Sequence, residues 1–339
     1  MMPAEWEPQD AILVAWPHHG TDWNYMLDEA QACFKNVVAA VAREMRVVVV
    51  APHPDEVMAL LGDIDNVDNI ICQAIDTNDT WARDFGPISV VDGGNKLMLD
   101  FKFNAWGMKF AACRDNLICR AMAENGIFDA QYVNCQDIVL EGGSVESDGQ
   151  GTILTTSRCL LSPNRNGALR KDDIERVLMH RLGARKVLWL DYGELKGDDT
   201  DAHIDTLARF APGNTILYIE SNNSDDDQHE SLRLMQQQLK TFGNARGERF
   251  NLVPLPCPDA IFDEDGNRLP ATYANFLITN NQVLVPVYGQ QENDRLAIDI
   301  IGKVFTTRTV VGIDCNALIK QHGSLHCITM QIPNKFLKQ

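Results

Sequence analysis

The order of apolar and polar positions along the chain predicts a structural unit that recurs five times. Each unit has a strand or a hairpin of two strands, then an amphipathic helix, then a further strand. The clearest members are the valine-rich strand Arg46–Ala51 and the helices Leu27–Arg43, Lys171–Leu182 and Gln291–Val304. The segment Asp92-Gly93-Gly94-Asn95 has the residue types of a tight hairpin turn. We therefore expect an α/β fold.

Two of the predicted strands contain or adjoin chemically reactive residues. One covers Ile204–Phe210 and the other Cys327–Gln331. The second has no hairpin partner after it, so we expect it to pair with Ala11–Trp16. Since no linker rich in Pro, Gly or Ser divides the chain, the prediction is a single domain over residues 1–339, with its five αβ units around a central active site.

Composition narrows the class of protein. The formal net charge is −17 at pH 7, which disfavours nucleic acid and membrane partners and favours a small cationic substrate. Taken alone, the charge is better explained by an acidic surface that only keeps the protein in solution. The chain has nine cysteines and none in a CxxC pair, so we expect reduced thiols and a cytoplasmic location.

Five candidate residues occupy similar positions in successive units, at or just ahead of the first strand. They are Asp84, Glu141, His203, Asp205 and Cys327. If the units surround an axis, their side chains converge on one cavity, which the segment containing Asn275 would also line. Because Cys327 follows a turn, we expect an exposed thiol there, and His203 and Asp205 should face the same side of a strand.

These residue types favour covalent chemistry on a cation. A cysteine near a histidine gives an activated thiolate, and carboxylates bind a planar guanidinium in bidentate fashion. Trp81 could cover the flat face of such a group. Taken singly, Asp84 could instead pair with Arg83, and His203 and Asp205 could form a structural pair. A zinc site that adds His326 and Cys327 is a further alternative, although the usual ligand spacing is absent.

Several longer motifs contain these residues. They are Thr80-Trp81-Ala82-Arg83-Asp84-Phe85-Gly86-Pro87, Phe103-Asn104-Ala105-Trp106-Gly107, Glu141-Gly142-Gly143-Ser144, Pro163-Asn164-Arg165-Asn166, Asp199-Thr200-Asp201-Ala202-His203-Ile204-Asp205 and His326-Cys327-Ile328-Thr329-Met330-Gln331, with Pro3-Ala4-Glu5-Trp6-Glu7-Pro8-Gln9 at the start. Together they resemble the agmatine deiminase family of the guanidino-group-modifying superfamily, over nearly the whole chain.

The resemblance implies a fold and a mechanism. The fold is the five-bladed α/β propeller of the superfamily, the pentein fold. Cys327 would be the nucleophile and His203 the general acid and base, oriented by Glu141. Asp84 and Asp205 would hold the guanidinium, and the substrate-binding residues would also include Trp81, Trp106 and Asn275. The implied reaction passes through a covalent thiouronium intermediate and requires no metal or organic cofactor.

The chain departs from the family pattern near the pocket. Ala202 and Met108 stand where glycine is common, and Gln321-His322-Gly323-Ser324-Leu325 replaces a glycine-rich stretch. Agmatine is the expected substrate, which would place the enzyme in putrescine and polyamine metabolism. The alternatives are free or peptidyl arginine as substrate, a non-catalytic binder of cationic metabolites, and a thiol protease. The sequence is also compatible with a homodimer.

Overall fold

The structure, a computed structural model, describes residues Met1 to Lys338. These residues fall into two units. The three-sheet unit contains Met1–Trp6 and Gly143–Leu325, and the two-sheet unit contains Glu7–Gly142 and the chain from His326 onward. Both units mix strands with helices, as predicted.

The strands are given in chain order. They are β1 (Gln9–Ala15), β2 (Arg46–Ala51), β3 (Ile70–Ala74), β4 (Ile88–Asp92), β5 (Asn95–Lys102), β6 (Gln131–Val139), β7 (Val145–Ser147), β8 (Thr152–Thr156), β9 (Lys186–Leu190), β10 (Ala208–Ala211), β11 (Thr215–Glu220), β12 (Asn251–Pro256), β13 (Leu277–Ile278), β14 (Gln282–Val287), β15 (Thr309–Asp314) and β16 (Thr329–Pro333).

The longer helices connect strands of the same sheet. They are α1 (Leu27–Ala42), α2 (Pro54–Leu61), α3 (Ile118–Glu124), α4 (Lys171–Leu182), α5 (His229–Leu239) and α6 (Gln291–Val304). Shorter helical turns occur at Ala82–Phe85, Ala105–Met108, Ser157–Leu160, Pro163–Asn166 and Asn316–Ile319, and 3-10 turns at Asp22–Met26, Val67–Asn69, Asp115–Leu117, Gly142–Ser144 and Ile204–Thr206. Within residues 1–338, every helix is too short or too polar to cross a membrane.

The larger sheet of the two-sheet unit has the strand order β16-β1-β2-β3. β16 runs antiparallel to β1, with Thr329 opposite Val14, and β1, β2 and β3 are parallel. Val47 to Val50 in β2 are fully buried. A central parallel strand is covered on both faces and is therefore apolar throughout. The predicted pairing of the Cys327 segment with β1 is confirmed.

The second sheet of this unit begins with the predicted hairpin. β4 and β5 are antiparallel, with Asp92 opposite Asn95. Gly93 and Gly94 between them have φ of +55° and +89°. A two-residue hairpin turn of type I′ needs positive φ at both central positions, which glycine adopts without steric cost. β6 completes the sheet parallel to β5, after a crossover that includes α3.

The three-sheet unit repeats this arrangement in each of its sheets. An antiparallel pair comes first (β7 and β8, β10 and β11, β13 and β14), and a parallel third strand follows (β9, β12, β15). The crossovers contain α4, α5 and α6. Residues 1–338 therefore form five sheets, which is consistent with the five predicted units. The four three-stranded sheets share one connectivity, and the larger sheet differs in its fourth strand, β3, and in taking its antiparallel strand, β16, from a distant part of the chain. The single domain and the closed propeller stay predictions.

Two predicted strands begin later than expected, and both corrections concern the candidate site. Ile204–Thr206 is a 3-10 turn, in which Thr206 Oγ1 donates to the His203 carbonyl at 2.8 Å. The prediction that His203 and Asp205 share a strand face is therefore wrong. Cys327 precedes β16, and Thr329 Oγ1 donates to the His326 carbonyl at 3.0 Å. In both places a threonine hydroxyl satisfies a carbonyl that a strand would have paired with its neighbour.

Candidate active site

Cys327 lies in the turn that leads into β16. It is only 5% exposed, so the expectation of an exposed thiol is wrong. Its carbonyl oxygen accepts a hydrogen bond from the Arg83 backbone N–H at 3.1 Å. Arg83 immediately precedes Asp84, so this bond links the backbone of the thiol-bearing turn to the backbone next to the candidate carboxylate.

The Arg83 side chain strengthens this link. It is buried, and its Nε donates to the His326 carbonyl at 3.4 Å. Nη1 donates to the side-chain oxygen of Gln331 and to Met330 Sδ. A single arginine thus fixes the chain on both sides of Cys327, a role that the sequence analysis missed. Its position beside Asp84 in the motif was the available signal.

Asp84 is buried in the helical turn Ala82–Phe85. Trp106 Nε1 donates to Asp84 Oδ2 at 2.9 Å. The indole hydrogen bond fixes the carboxylate and helps to compensate its loss of water, because an N–H donor to a charged acceptor makes a strong hydrogen bond.

Trp106 is held in an unusual backbone segment. Ala105, Trp106, Gly107 and Met108 have φ of +52°, +53°, +92° and +68°, and Asn104 Oδ1 accepts the Gly107 N–H at 3.0 Å. Left-handed backbone is unfavourable for residues other than glycine and is maintained only by surrounding contacts. This geometry explains why glycine is common at the position that Met108 occupies here.

Trp81 is buried as well. Its Nε1 donates to Asp79 Oδ2 at 3.0 Å, and its ring packs against Trp23 with 5.6 Å between centroids. Trp23 Nε1 in turn donates to Thr80 Oγ1 at 2.8 Å. The predicted substrate-binding tryptophan is therefore held through its indole nitrogen and one ring contact.

A second carboxylate supports the segment before Trp81. Asp115 Oδ1 accepts the backbone N–H groups of Asn78 and Asp79 at 2.6 and 3.2 Å. Burial raises the pKa of Asp115 to about 6. Burial, and next the charge of Asp115, raise the pKa of Asp79 to about 7. These two acids therefore titrate within the range in which enzymes are assayed.

Glu141 is fully buried at the end of the segment that follows β6. The next residue, Gly142, allows the chain to approach Arg83 closely, because a Cβ at Gly142 would overlap the Arg83 carbonyl oxygen. Only glycine fits there without displacing the backbone that supports Asp84.

In the three-sheet unit, His203, Asp205 and Asn275 are buried. The His203 backbone N–H donates to Thr200 Oγ1 at 3.1 Å, and Asn275 Nδ2 donates to the Asp205 carbonyl at 3.3 Å. The structure thus brings Asn275 and Asp205 together, as the sequence analysis expected of the residues lining the site.

The backbone ahead of His203 is left-handed at two residues. Asp201 and Ala202 have φ of +67° and +64°, so Ala202 replaces the common glycine where the backbone favours glycine. Asp198 Oδ2 accepts the Ala202 N–H at 2.7 Å. The buried Arg165 side chain bonds to the Asp201 carboxylate at 2.6 Å and to the Thr200 carbonyl at 2.7 Å. These contacts hold the strained turn in place.

Each unit therefore contributes residues suited to a cationic substrate. The two-sheet unit has a buried thiol (Cys327) and buried carboxylates (Asp84 and Glu141), and the three-sheet unit has a buried imidazole (His203) with Asp205. Buried carboxylates need a positive partner or strong hydrogen bonds to remain ionised. The zinc alternative draws on residues of both units and stays a hypothesis.

Comparison with known proteins agrees with this chemistry. Residues 1–333 match the model of the Porphyromonas-type peptidyl-arginine deiminases. A Legionella pneumophila protein named "Putative agmatine deiminase" is 35% identical, over 99% of this chain and 96% of its own. A structure described as "Putative Arginine Deiminase" from Porphyromonas gingivalis is 47% identical, with a TM-score of 0.95 and 99% of each chain covered.

A C. jejuni agmatine deiminase, solved as a cysteine-to-serine variant with substrate bound, is 37% identical to this chain. Its TM-score is 0.92, with 99% of this chain and 96% of that chain covered. These matches confirm the predicted resemblance. They also confirm the prediction of an enzyme that hydrolyses guanidino C–N bonds.

Proposed function

This chain belongs to the Porphyromonas-type peptidyl-arginine deiminase family, and we propose that it hydrolyses agmatine to N-carbamoylputrescine and ammonia. The main support from the geometry is the hydrogen bond from the Arg83 N–H to the Cys327 carbonyl. It ties the chain beside a buried carboxylate, Asp84, to the chain that carries the thiol. A guanidinium held by that carboxylate suits attack by a nearby sulfur.

In the proposed first half-reaction, the Cys327 thiolate attacks the central carbon of the guanidinium. A C–S bond forms, and one C–N π bond becomes a lone pair on nitrogen. Protonated His203 then gives its proton to the departing amino group, the C–N bond breaks, and ammonia leaves. The product is an S-alkylthiouronium on Cys327, with His203 neutral.

The second half-reaction uses one water molecule. Neutral His203 takes a proton from the water as its oxygen attacks the thiouronium carbon. Collapse of this adduct breaks the C–S bond and expels the Cys327 thiolate, the remaining hydroxyl proton passes to solvent and is taken up by the released ammonia, and the neutral ureido product is left. His203 is protonated again, so one agmatine and one water give one N-carbamoylputrescine and one ammonia.

The binding residues have separate proposed roles. Asp84 and Asp205 bind the guanidinium nitrogens, with Trp81, Trp106 and Asn275 beside the substrate, and Glu141 orients the His203 ring. A cysteine thiol of ordinary pKa, ~8.5, is only about a few per cent ionised at neutral pH. A guanidinium bound next to the sulfur favours the thiolate, so the substrate itself helps to activate the nucleophile.

Deimination of free or peptidyl arginine is the second candidate. The similarity to the P. gingivalis "Putative Arginine Deiminase", at 47% identity, favours it. Arginine and agmatine share the guanidino group, and they differ at the far end of the substrate. The residues named above act on the shared group, so both candidates use the same chemistry.

The experiment compares agmatine, arginine and a peptidyl arginine with the purified protein in the presence of a metal chelator. Ammonia and ureido product are measured together. We expect the highest kcat/KM with agmatine and loss of turnover in Cys327→Ser. Cys72→Ser, a change on β3 of a partly exposed thiol in the same unit, is the matched control and should keep its rate.

Other outcomes identify the alternatives. A higher kcat/KM with free or peptidyl arginine would identify that compound, and not agmatine, as the preferred substrate. Stoichiometric binding without any ureido product would mean that the protein is a non-catalytic binder of cationic metabolites. Full activity of Cys327→Ser would remove Cys327 from the mechanism.

A further inference from the structure

The three-sheet unit contains a buried arginine that takes no part in the proposed reaction. Arg209 on β10 has no exposed surface. Its Nη2 bonds to Glu5 Oε2 at 2.5 Å, and its Nε bonds to Glu146 Oε1. Nη1 donates to the carbonyl oxygens of Phe276 at 2.5 Å and Ala274 at 3.4 Å. The guanidinium also lies 4.8 Å from the centre of the Phe276 ring.

Both glutamates are fixed by further hydrogen bonds. Glu5 Oε1 accepts the backbone N–H of Ile278 at 2.8 Å, and Glu146 Oε2 accepts the backbone N–H of Phe210 at 3.2 Å. Each carboxylate therefore binds the arginine with one oxygen and the backbone with the other. Charged groups buried this deeply are stable only when such bonds replace their water.

Asp205 also acts on this arginine. Burial lowers the pKa of Arg209, and the charges of Glu146, Glu5 and Asp205 raise it, with a net increase above its ordinary value. The side-chain acceptors of the Arg209 hydrogen bonds are nevertheless the two glutamates. A carboxylate assigned to the substrate thus lies within the electrostatic reach of an internal guanidinium, the same chemical group that the substrate carries.

The arginine also fixes the backbone around Asn275. Its two carbonyl acceptors, Ala274 and Phe276, flank Asn275 on either side, and the Asn275 amide donates to the Asp205 carbonyl. Movement of the guanidinium would therefore change the position of Asn275 and, through it, the backbone of Asp205.

We propose that Glu5 and Glu146 are positioning residues for substrate binding, because they hold the Arg209 guanidinium on themselves and so keep it from competing with the substrate for Asp205. When either glutamate loses its charge, Arg209 is drawn toward Asp205 and acts as an internal competitor. This inference rests on the proposed function. It also assigns a purpose to Glu5 in the segment Pro3-Ala4-Glu5-Trp6.

The test measures steady-state kinetics with agmatine for Glu5→Gln and Glu146→Gln. Both changes keep the side-chain shape and remove the charge. We expect KM to rise about tenfold or more, with kcat within about threefold of wild type, the pattern of lost substrate binding. Glu5→Asp keeps the charge, so its KM for agmatine should stay much closer to that of wild type than the KM of Glu5→Gln. Ile174→Val in α4 is the control, a core change in the same unit that lowers stability without raising KM.

The same changes made in a Cys327→Ser parent separate this inference from the proposed function. Binding of agmatine and arginine is followed by calorimetry and needs no turnover. Weaker binding by the two glutamine variants than by the parent supports the inference, even if the wild type proves inactive. Binding within twofold of the parent overturns it, as does loss of kcat with unchanged KM. If Glu146→Gln fails to fold, Glu5→Gln decides alone. A parent that binds neither compound overturns both proposals.

Discussion

Replacement of Asp115 by asparagine should stabilise the protein above neutral pH. The Asp115 side chain is buried, and its Oδ1 accepts two backbone N–H groups. Within residues 1–338, Oδ2 has no hydrogen-bond partner. Asp115→Asn can therefore keep an oxygen at the Oδ1 position, place its amide nitrogen where Oδ2 was, and remove the buried charge.

The magnitude follows from the pKa of the carboxyl. Burial raises the pKa of Asp115 from an ordinary value of 3.8 to about 6. Each pKa unit corresponds to about 1.36 kcal/mol, so ionising this group costs the folded state about 3 kcal/mol. Because the folded-state pKa is the higher one, the stabilisation is complete below about pH 4 and is lost as pH rises through about 6. Asp115→Asn should therefore raise the free energy of unfolding by about 3 kcal/mol at pH 8 and by close to zero at pH 4.

Urea unfolding followed by tryptophan fluorescence at several pH values between about 4 and 8 measures this difference. The control is Asp65→Asn, which neutralises an exposed carboxylate and should change stability by less than about 0.5 kcal/mol throughout. A stability change for Asp115→Asn that is the same at both ends of the range would refute the reasoning. Net destabilisation at pH 8 would refute it as well.

Three further changes test the candidate site. Trp106→Phe removes the N–H that Asp84 accepts, so kcat/KM should fall about 10- to 100-fold and the unfolding free energy by about 1 to 3 kcal/mol; unchanged kcat/KM would count against Asp84 as a guanidinium ligand. Gly142→Ala places a Cβ against the Arg83 carbonyl and should lower the unfolding free energy by at least about 2 kcal/mol, which a wild-type urea midpoint would contradict. Met108→Gly replaces an exposed left-handed residue and should raise the unfolding free energy slightly, by up to about 1 kcal/mol, and with it the thermal midpoint; a lower midpoint would show that the Met108 side chain stabilises the turn.

The elements that depend on local periodicity could be predicted from the sequence. The bounds of α4, α6 and β2 agree with the predicted ones, because an amphipathic helix or a fully buried strand reveals itself within its own residues. The pairing of β16 with β1 is a long-range contact. This pairing was predicted because the last predicted strand lacks a hairpin partner.

The parts of the site that depend on side-chain contacts could not be predicted in this way. Apolar alternation extended the strand at Ile204–Phe210 through a 3-10 turn that the Thr206 hydroxyl stabilises. The hydrogen-bond partners of Arg209 come from three separate segments, and no local pattern indicates them. The left-handed backbone at Ala202 and Met108 could in principle have been predicted, because the resemblance implies that glycine is common at both positions and glycine tolerates positive φ.

The pairing of β16 with β1 has a consequence for synthesis of the chain. Val14, near one end of the sequence, is opposite Thr329, near the other, and Cys327 directly precedes β16. During synthesis, β1 must therefore wait until the chain has reached β16 before this neighbour exists. A polypeptide interrupted before Cys327 lacks both that neighbouring strand and the proposed nucleophile. Incomplete products of translation thus leave β1 with an open edge for aggregation.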